Sequence, residues 1–322
     1  MKLPRARGPI SGFAIGLLRG DDTPPPPLVV PADIIRSDDA QLALWILLEL
    51  HFGSFTEVAR ECEWDPMVLS VRRELEVHFE RQLRDEVRSF DAAAHQDIAA
   101  AIFALVESDE APSTALYLQR HATTEQVRDY LRERSVQQLK ESDPYSFVLP
   151  RIGGAAKVAL AELQYDEYGA GRPDRLHSTM YGDALAAAGL DRTYGAYIDD
   201  ASAASLAACN APAIFSLDGR LRGAAMGHLA AFEASSSLPC RRISAGLARV
   251  GMPAAAAYFD EHVEADAVHE QVAARDICGA LVAEDPGLGD DILFGASACL
   301  LLEGEVAQTL ARRWGVGERI AS

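Results

Sequence analysis

The sequence predicts an all-α protein. Three observations carry that expectation. Apolar residues recur at helical spacing from about residue 38 almost to the end, and Ala, Leu, Glu and Arg dominate those segments. Alternating Val/Ile/Thr stretches bounded by hairpin turns are missing. The chain has 322 residues, 49% of them hydrophobic and 24% charged, enough for one large domain or two modest ones with a sizeable core.

In chain order, residues 1–36 read as an irregular lead-in that ends in Pro24 to Pro27 and Pro31, the proline run being extended polyproline II. Lys2, Arg5 and Arg7 precede the apolar stretch Ile10 to Leu18, in the manner of a weak signal peptide. Pro9, Ser11, Gly12 and Gly16 interrupt that stretch and no Ala-x-Ala site follows, so a cytoplasmic protein with its N-terminus on the surface is expected. Asp38 and Asp39 can cap a helix through Leu42 to Leu50. Asp65 and Pro66 open one that reaches about Val87, and an Ala-rich apolar helix spans 90–107. Thr123 or Thr124 caps a helix to Glu141, which Asp143-Pro144 stops. Helical patterns follow at about 153–169, 173–189, 195–208, 212–235, 253–283 and 288–313. A break at Asp109, Ala111 and Pro112 separates accessory helices, 37–110, from a helical body, 111–322, unless 37–322 is one continuous domain.

The formal net charge of −18 argues against a diffuse nucleic-acid surface and against anionic membranes as partners. No apolar run approaches the roughly 20 residues of a membrane helix. Five cysteines, at 62, 209, 240, 278 and 299, form no C-x-x-C pair. They read as free thiols in a reducing compartment.

The chemistry begins at His262, Asp266 and His269. A helix turns 100° per residue, so spacings of four and seven set all three within an arc of ~60° and along ~10 Å of one face. Phe259 and Ala273 continue that stripe, which therefore looks inward. Two imidazoles and a carboxylate are costly to bury without a partner, and they suit iron or manganese. Glu167 ends a second apolar stripe, with Ala156, Leu160 and Leu163 within ~40° of it, while Glu162 and Asp166 point away like surface residues. His177 would lie ~15 Å further along a straight helix. Gly169, Gly171 and Pro173 break that helix and let His177 fold back toward Glu167. Glu141 stands at a helix end, in line with Val127 and Tyr130.

Taken together, Glu141, then Glu167 and His177 as E-x9-H, then H-x3-D-x2-H at 262–269, resemble the ligand pattern of the haem-oxygenase-like di-iron oxidases and oxygenases. The flanking DEYGAGRPDRLH and EHVEADAVHE, with GHLAAFEASSS at 227–237, resemble the bacterial iron-containing redox enzymes over roughly residues 112–283. The resemblance implies a seven-helix haem-oxygenase-like core preceded by accessory helices. It implies two non-haem irons, the second often weakly held, that activate O2 as cosubstrate. The reactions it implies are N-oxygenation, desaturation, C–C fragmentation or nitrogen-ring closure on a small amino-acid-like or fatty-acid-like substrate. Manganese remains an alternative metal. The family's spatial order gives one iron Glu141, His177 and one helix histidine, and the other Glu167 with the remaining pair. No flavin, nicotinamide or iron–sulfur signature occurs, so electrons come from an external donor or from the substrate.

The other candidates have plainer readings. His51, His78, His95 and His121 read as ordinary core or surface residues, and Glu74 with His78 as local pairing on a charged face. His228 and Glu233 are splayed ~140° apart, so at most one faces the site, as a partner to a ligand histidine, and neither enters the ligand set. The RLRG stretch at 220–223 reads as a surface salt bridge. Two other classes stay open: a metal-independent, thiaminase-like helical enzyme using a cysteine or carboxylate, and a non-catalytic partner protein. A homodimer is expected through the accessory helices, whose Leu44, Trp45, Leu47 and Leu48 can alternatively pack on the core.

Overall fold

The computed structural model describes residues 1–21, 29–87 and 97–316. Among these the protein is helical throughout, without a strand, as the sequence predicts. The proline run Pro24 to Pro27, His95 and the first part of the 90–107 helix lie outside the described residues.

The first difference from expectation comes at once. Pro9–Arg19 is a helix, α1, and not an irregular lead-in. Proline is tolerated at its first position because the amide it lacks would be unpaired there anyway. Ile10, Ala14, Ile15 and Leu18 bury one stripe of α1. Its N-terminus is capped from outside: Asp39 accepts from the Ile10 and Ser11 amides at 2.9 and 2.7 Å. Asp39 therefore caps α1, and its own helix, α2 (Asp38–Glu49), is capped by Ser37. Leu44, Trp45, Leu47 and Leu48 of α2 are buried in the core, which removes them as a surface for a second copy.

Asp65 caps α3 (Pro66–Glu86) as expected, and Asp97 caps α4 (Ile98–Glu107). A short α5 (Thr114–Arg120) precedes α6 (Thr124–Gln138), which opens on a Thr123/Gln126 capping box. α6 ends three residues before Glu141, which sits in the following turn, ahead of the single turn α7 (Asp143–Ser146). Then come α8 (Gly154–Glu167), α9 (His177–Ala187), α10 (Ala203–Leu217) and α11 (Arg222–Arg249). Pro212, taken from sequence as a boundary, lies inside α10; the chain breaks instead at Asp218-Gly219. The last long run starts as α12 (Ala257–Gln271), widens into a π-helical stretch (Val272–Gly279) and finishes as α13 (Ala280–Glu284). α14 (Gly289–Trp314) closes the bundle.

One hydrophobic cluster joins α1–α4 to α8, α10, α11 and α14, so the core runs without a gap across position 110. A second gathers α5, α6, α9, the far half of α11 and α12. Against expectation, Pro286–Trp314 is long and apolar enough to cross a membrane, but 61% of its apolar window is buried, as in a core helix. α11 and α14 cross backbone to backbone. A Cβ on Gly227 would come within 1.8 Å of the Ile292 carbonyl oxygen, and one on Gly295 within 1.9 Å of that of Ala224. Only glycine fits at either position, and the crossing fixes the height of Glu233 on α11.

Candidate metal centre

The chain reverses after Glu167. Gly169, Ala170 and Gly171 adopt φ of 79°, 52° and 80°, the left-handed region. A side chain at Gly169 would collide with the Arg172 carbonyl oxygen at 2.4 Å. The reversal returns the chain so that α9 begins at His177, with its Nδ1 2.9 Å from Glu167 Oε2. The helix break expected from sequence is present, and it does what the spacing required.

Four elements bring their side chains to this point. Glu167 ends α8 and is buried; Ser142 Oγ donates to its Oε2 at 2.7 Å. His262 on α12 donates from Nδ1 to the Tyr258 carbonyl oxygen at 2.7 Å. A carbonyl can only accept, so that bond leaves Nε2 of a neutral ring with a free lone pair. This Nε2 lies 3.3 Å from Glu141 Oε1, and Tyr258 Oη donates to both Glu141 oxygens at 2.8 and 3.0 Å. The rings of His177 and His262 stand 4.4 Å apart. Two turns further along α12, His269 Nδ1 lies 3.2 Å from Glu167 Oε1 and 3.7 Å from Glu233 Oε2.

Two groups of donor atoms result. Glu141, Glu167, His177 and His262 offer one atom each within 4.8 Å of one another, and so do Glu167, Glu233 and His269. Glu167 is common to both. Glu141, His177 and His262 lie together, as the expected division has them. It changes in that Glu167 spans both groups, and Asp266 belongs to neither at that distance. Asp266 nevertheless lines the same cavity as Glu141, Glu167, Glu233 and His262. That cavity measures about 20 Å³, room for about one water.

Glu233 is the residue that the sequence reading left out. α11 is buried all round over Gly223–Ala231, so no polar face marks which way Glu233 points. His228 turns the other way, as the splay requires, with Nδ1 2.9 Å from Tyr145 Oη. It partners no site histidine, and burial drops its pKa to about 3. Asp166, taken as a surface residue, is half exposed, yet its Oδ2 lies 3.7 Å from His269 Nε2. The plainer readings also find their partners. Arg220 pairs with Glu80 at 2.6 Å on the surface, and His78 bonds the Glu74 carbonyl oxygen at 2.9 Å.

The electrostatics are those of a site short of positive charge. Burial lifts Asp266, and the Glu233 carboxylate adds to it, up to about 9. Burial raises Glu233 as well. Burial pulls His262 down, but the bond to Glu141 outweighs it and pushes the imidazole up to about 10. Burial likewise opposes His269, which Glu167 and Glu233 push up to about 11. Burial would raise Glu167, and its two histidine neighbours instead hold it well below the usual carboxylate range. Protons on the imidazoles and on Asp266 thus balance the carboxylates.

They balance them badly. His177 Nδ1, His269 Nδ1 and both Asp266 oxygens are buried with no aligned hydrogen-bond partner among the described residues. Native interiors leave few such atoms, and each needs a reason. Buried imidazoles and carboxylates gathered in two such groups fit a metal ion of the iron or manganese type.

A family model described as iron-containing redox enzyme matches residues 128–304, from α6 to α14 and through every residue of the two donor groups. No curated protein sequence matches the chain. The match spans more than half of the chain and agrees with its all-helical, haem-oxygenase-like fold: the chain belongs to the iron-containing redox enzymes and is an oxidoreductase.

Proposed function

We propose that the protein is a non-haem di-iron oxidase or oxygenase that uses O2 to oxidise a small organic molecule, amino-acid-like or fatty-acid-like. The observation that carries this reading is the shared carboxylate. Glu167 lies between two donor groups, with Glu141, His177 and His262 on one side and Glu233 and His269 on the other. One oxygen of Glu167 faces each histidine pole, Oε2 toward His177 and Oε1 toward His269. Asp266 would complete the second group. These residues would hold a pair of ferrous ions, which would supply electrons to O2 and make it reactive toward C–H or N–H bonds.

The chain's own residues prepare that chemistry. Tyr258 fixes the His262 tautomer through its carbonyl and orients Glu141 through its hydroxyl. Ser142 holds Glu167 in place. The small cavity keeps bulk water away from whatever forms there. A hydrolytic, cysteine-based reading has less support. Cys209 lines the cavity, but burial pushes its thiol up, and its Sγ points to the Val136 carbonyl oxygen at 3.6 Å. The reading includes a cytoplasmic enzyme served by an external electron donor, with desaturation, N-oxygenation, fragmentation and ring closure as its candidate reactions.

Anaerobic titration with Fe(II), followed by O2 and a panel of amino acids and fatty acids, tests it. Two irons per chain, O2 uptake and a mass change in one substrate are expected. Loss of two hydrogens, gain of oxygen or loss of a fragment would each name a reaction. A chain that takes up no iron, or whose iron ignores O2 with every compound offered, would overturn the reading.

A further inference from the structure

Five of the six residues in the two donor groups are buried, and Glu141 is nearly so. An ion reaches them only by a route from solvent. Two outer hollows approach the centre. One, about 430 Å³ between α6, α11, α12 and α14, is lined by no member of either group, and it shares only Phe232 with the small inner cavity. The other, about 310 Å³, lies between the turn at 169–175 and α12. His177 of one donor group and His269 of the other both line it. This vestibule therefore meets both halves of the candidate centre from outside.

His269 stands in the wall between the vestibule and the centre, and it is 2% exposed. Its Nδ1 faces inward, to Glu167 and Glu233. Its Nε2 faces Asp166 Oδ2 at 3.7 Å, a gap too long for a hydrogen bond. Asp166 also lines the vestibule, and its side chain is 52% exposed. A buried imidazole thus turns one nitrogen, unbonded among the described residues, toward a carboxylate that solvent reaches. Imidazole nitrogen and carboxylate oxygen are also the donor types of the buried groups, and both suit a divalent transition metal. The remaining charges favour a cation. Arg175 pairs with Glu261, which leaves Asp166 and Glu264 against Arg172 among the lining residues.

We propose that the vestibule is the entry port for the divalent metal, and that Asp166 and His269 Nε2 hold the arriving ion before it passes to Glu167, Glu233 and the inner nitrogen of His269. Asp166 is an entry ligand and not a resident one. It meets the outer nitrogen of the ring, whereas Glu167 and Glu233 meet the inner one. The inference rests on the di-iron reading for the identity of the cargo.

Stopped-flow mixing of the metal-free protein with Co(II) tests it, because cobalt's visible absorption changes as imidazole and carboxylate replace water. The parent should take up two Co(II) per chain. Asp166→Asn should reach the same count about tenfold more slowly. Val268→Trp should slow uptake as well: Val268 lines the vestibule and is 60% exposed, so the larger ring fills the port and leaves the core alone. Leu238→Trp, at a 53% exposed residue lining the other hollow, should change nothing. An unchanged rate in Asp166→Asn or in Val268→Trp, or slowing by Leu238→Trp, overturns the port. A lower final count in Asp166→Asn would make Asp166 a resident ligand and overturn its entry role. A parent that takes up no Co(II) discards the di-iron reading and the port together, whereas two Co(II) with unchanged rates in the vestibule variants discards the port alone.

Discussion

Lys140 and Glu141 are neighbours in one turn, and they serve two buried charged clusters of opposite character. Lys140 pairs with Glu49, which is 1% exposed, and its ammonium lies 4.4 Å from the centre of the Phe52 ring. Tyr194 Oη donates to the same Glu49 carboxylate at 2.9 Å. One cation, one anion and one hydroxyl close on themselves. Glu141 instead joins Glu167, Glu233, Asp266 and three histidines, where carboxylates outnumber fixed cations and several atoms find no partner. Burial alone does not distinguish a structural ion pair from a site; completeness does. A closed cluster has nothing left to bind. An open one is held together by protons until a metal replaces them.

The largest expected effect comes from the residue both donor groups share. Glu167→Ala should abolish iron uptake at both positions and with it all O2-dependent turnover, read as iron per chain and oxygen consumption. A variant that still binds two irons would remove Glu167 from between them. Next in size is the closed cluster. Glu49→Ala leaves the Lys140 ammonium buried and unpaired, and should cost about 3–5 kcal/mol of stability in a denaturant titration. The double variant Glu49→Leu/Lys140→Met removes both charges and should recover most of that loss. If the double variant is as unstable as the single one, the pair does more than neutralise itself.

Those two clusters were unequally legible in the sequence. The stripe of His262, Asp266 and His269 was visible because a helical period betrays a face, and the Gly169–Pro173 break because glycine and proline punctuate the backbone locally. Glu233 was hidden because the α11 stretch leading to it, Gly223–Ala231, is buried all round, and a helix without an exposed face gives no direction. α1 was hidden because its cap, Asp39, comes from the next helix, 29 residues beyond Ile10, and no local signal announces it. Pro212 misled because a proline inside a buried helix costs one hydrogen bond that packing can outweigh. The all-helical class needed none of these details, since it follows from patterns summed over hundreds of residues.

The protons of the open cluster set a pH dependence that the closed one lacks. Asp266 rises from its ordinary 3.8 to about 9 on folding, His262 from 6.5 to about 10 and His269 from 6.5 to about 11. In each case the folded chain holds a proton that the unfolded chain has lost. Their contribution is complete at low pH and falls as pH climbs toward the folded values. The metal-free protein should therefore weaken from about pH 4 up to about pH 11, most steeply between about pH 6.5 and 9, where all three groups contribute. Each proton contributes about 1.4 kcal/mol per pH unit, so with three groups the slope there can reach about 4 kcal/mol per pH unit. Iron loading should flatten that slope, since the metals replace the protons. Equal slopes with and without iron, in parallel melts, would mean that the protons are not standing in for metals.

Asp266 gives the smallest effect and the sharpest contrast with Glu49. Both are buried carboxylates at 1% exposure. Glu49 has a cation and a hydroxyl; neither Asp266 oxygen has a partner among the described residues. Asp266→Ala gives up no hydrogen bond and relieves the cost of a buried, unmet group, offset by a small void. The metal-free protein should gain about 1 kcal/mol, where Glu49→Ala loses several. The same variant should hold one iron where the parent holds two, because the group of Glu167, Glu233 and His269 loses the neighbouring carboxylate that would complete it. Opposite signs of stability from two equally buried acids, with iron lost only from the stabilised one, would be the signature of a site. If Asp266→Ala instead destabilises the metal-free protein as Glu49→Ala does, the cluster is structural and the two regions are alike.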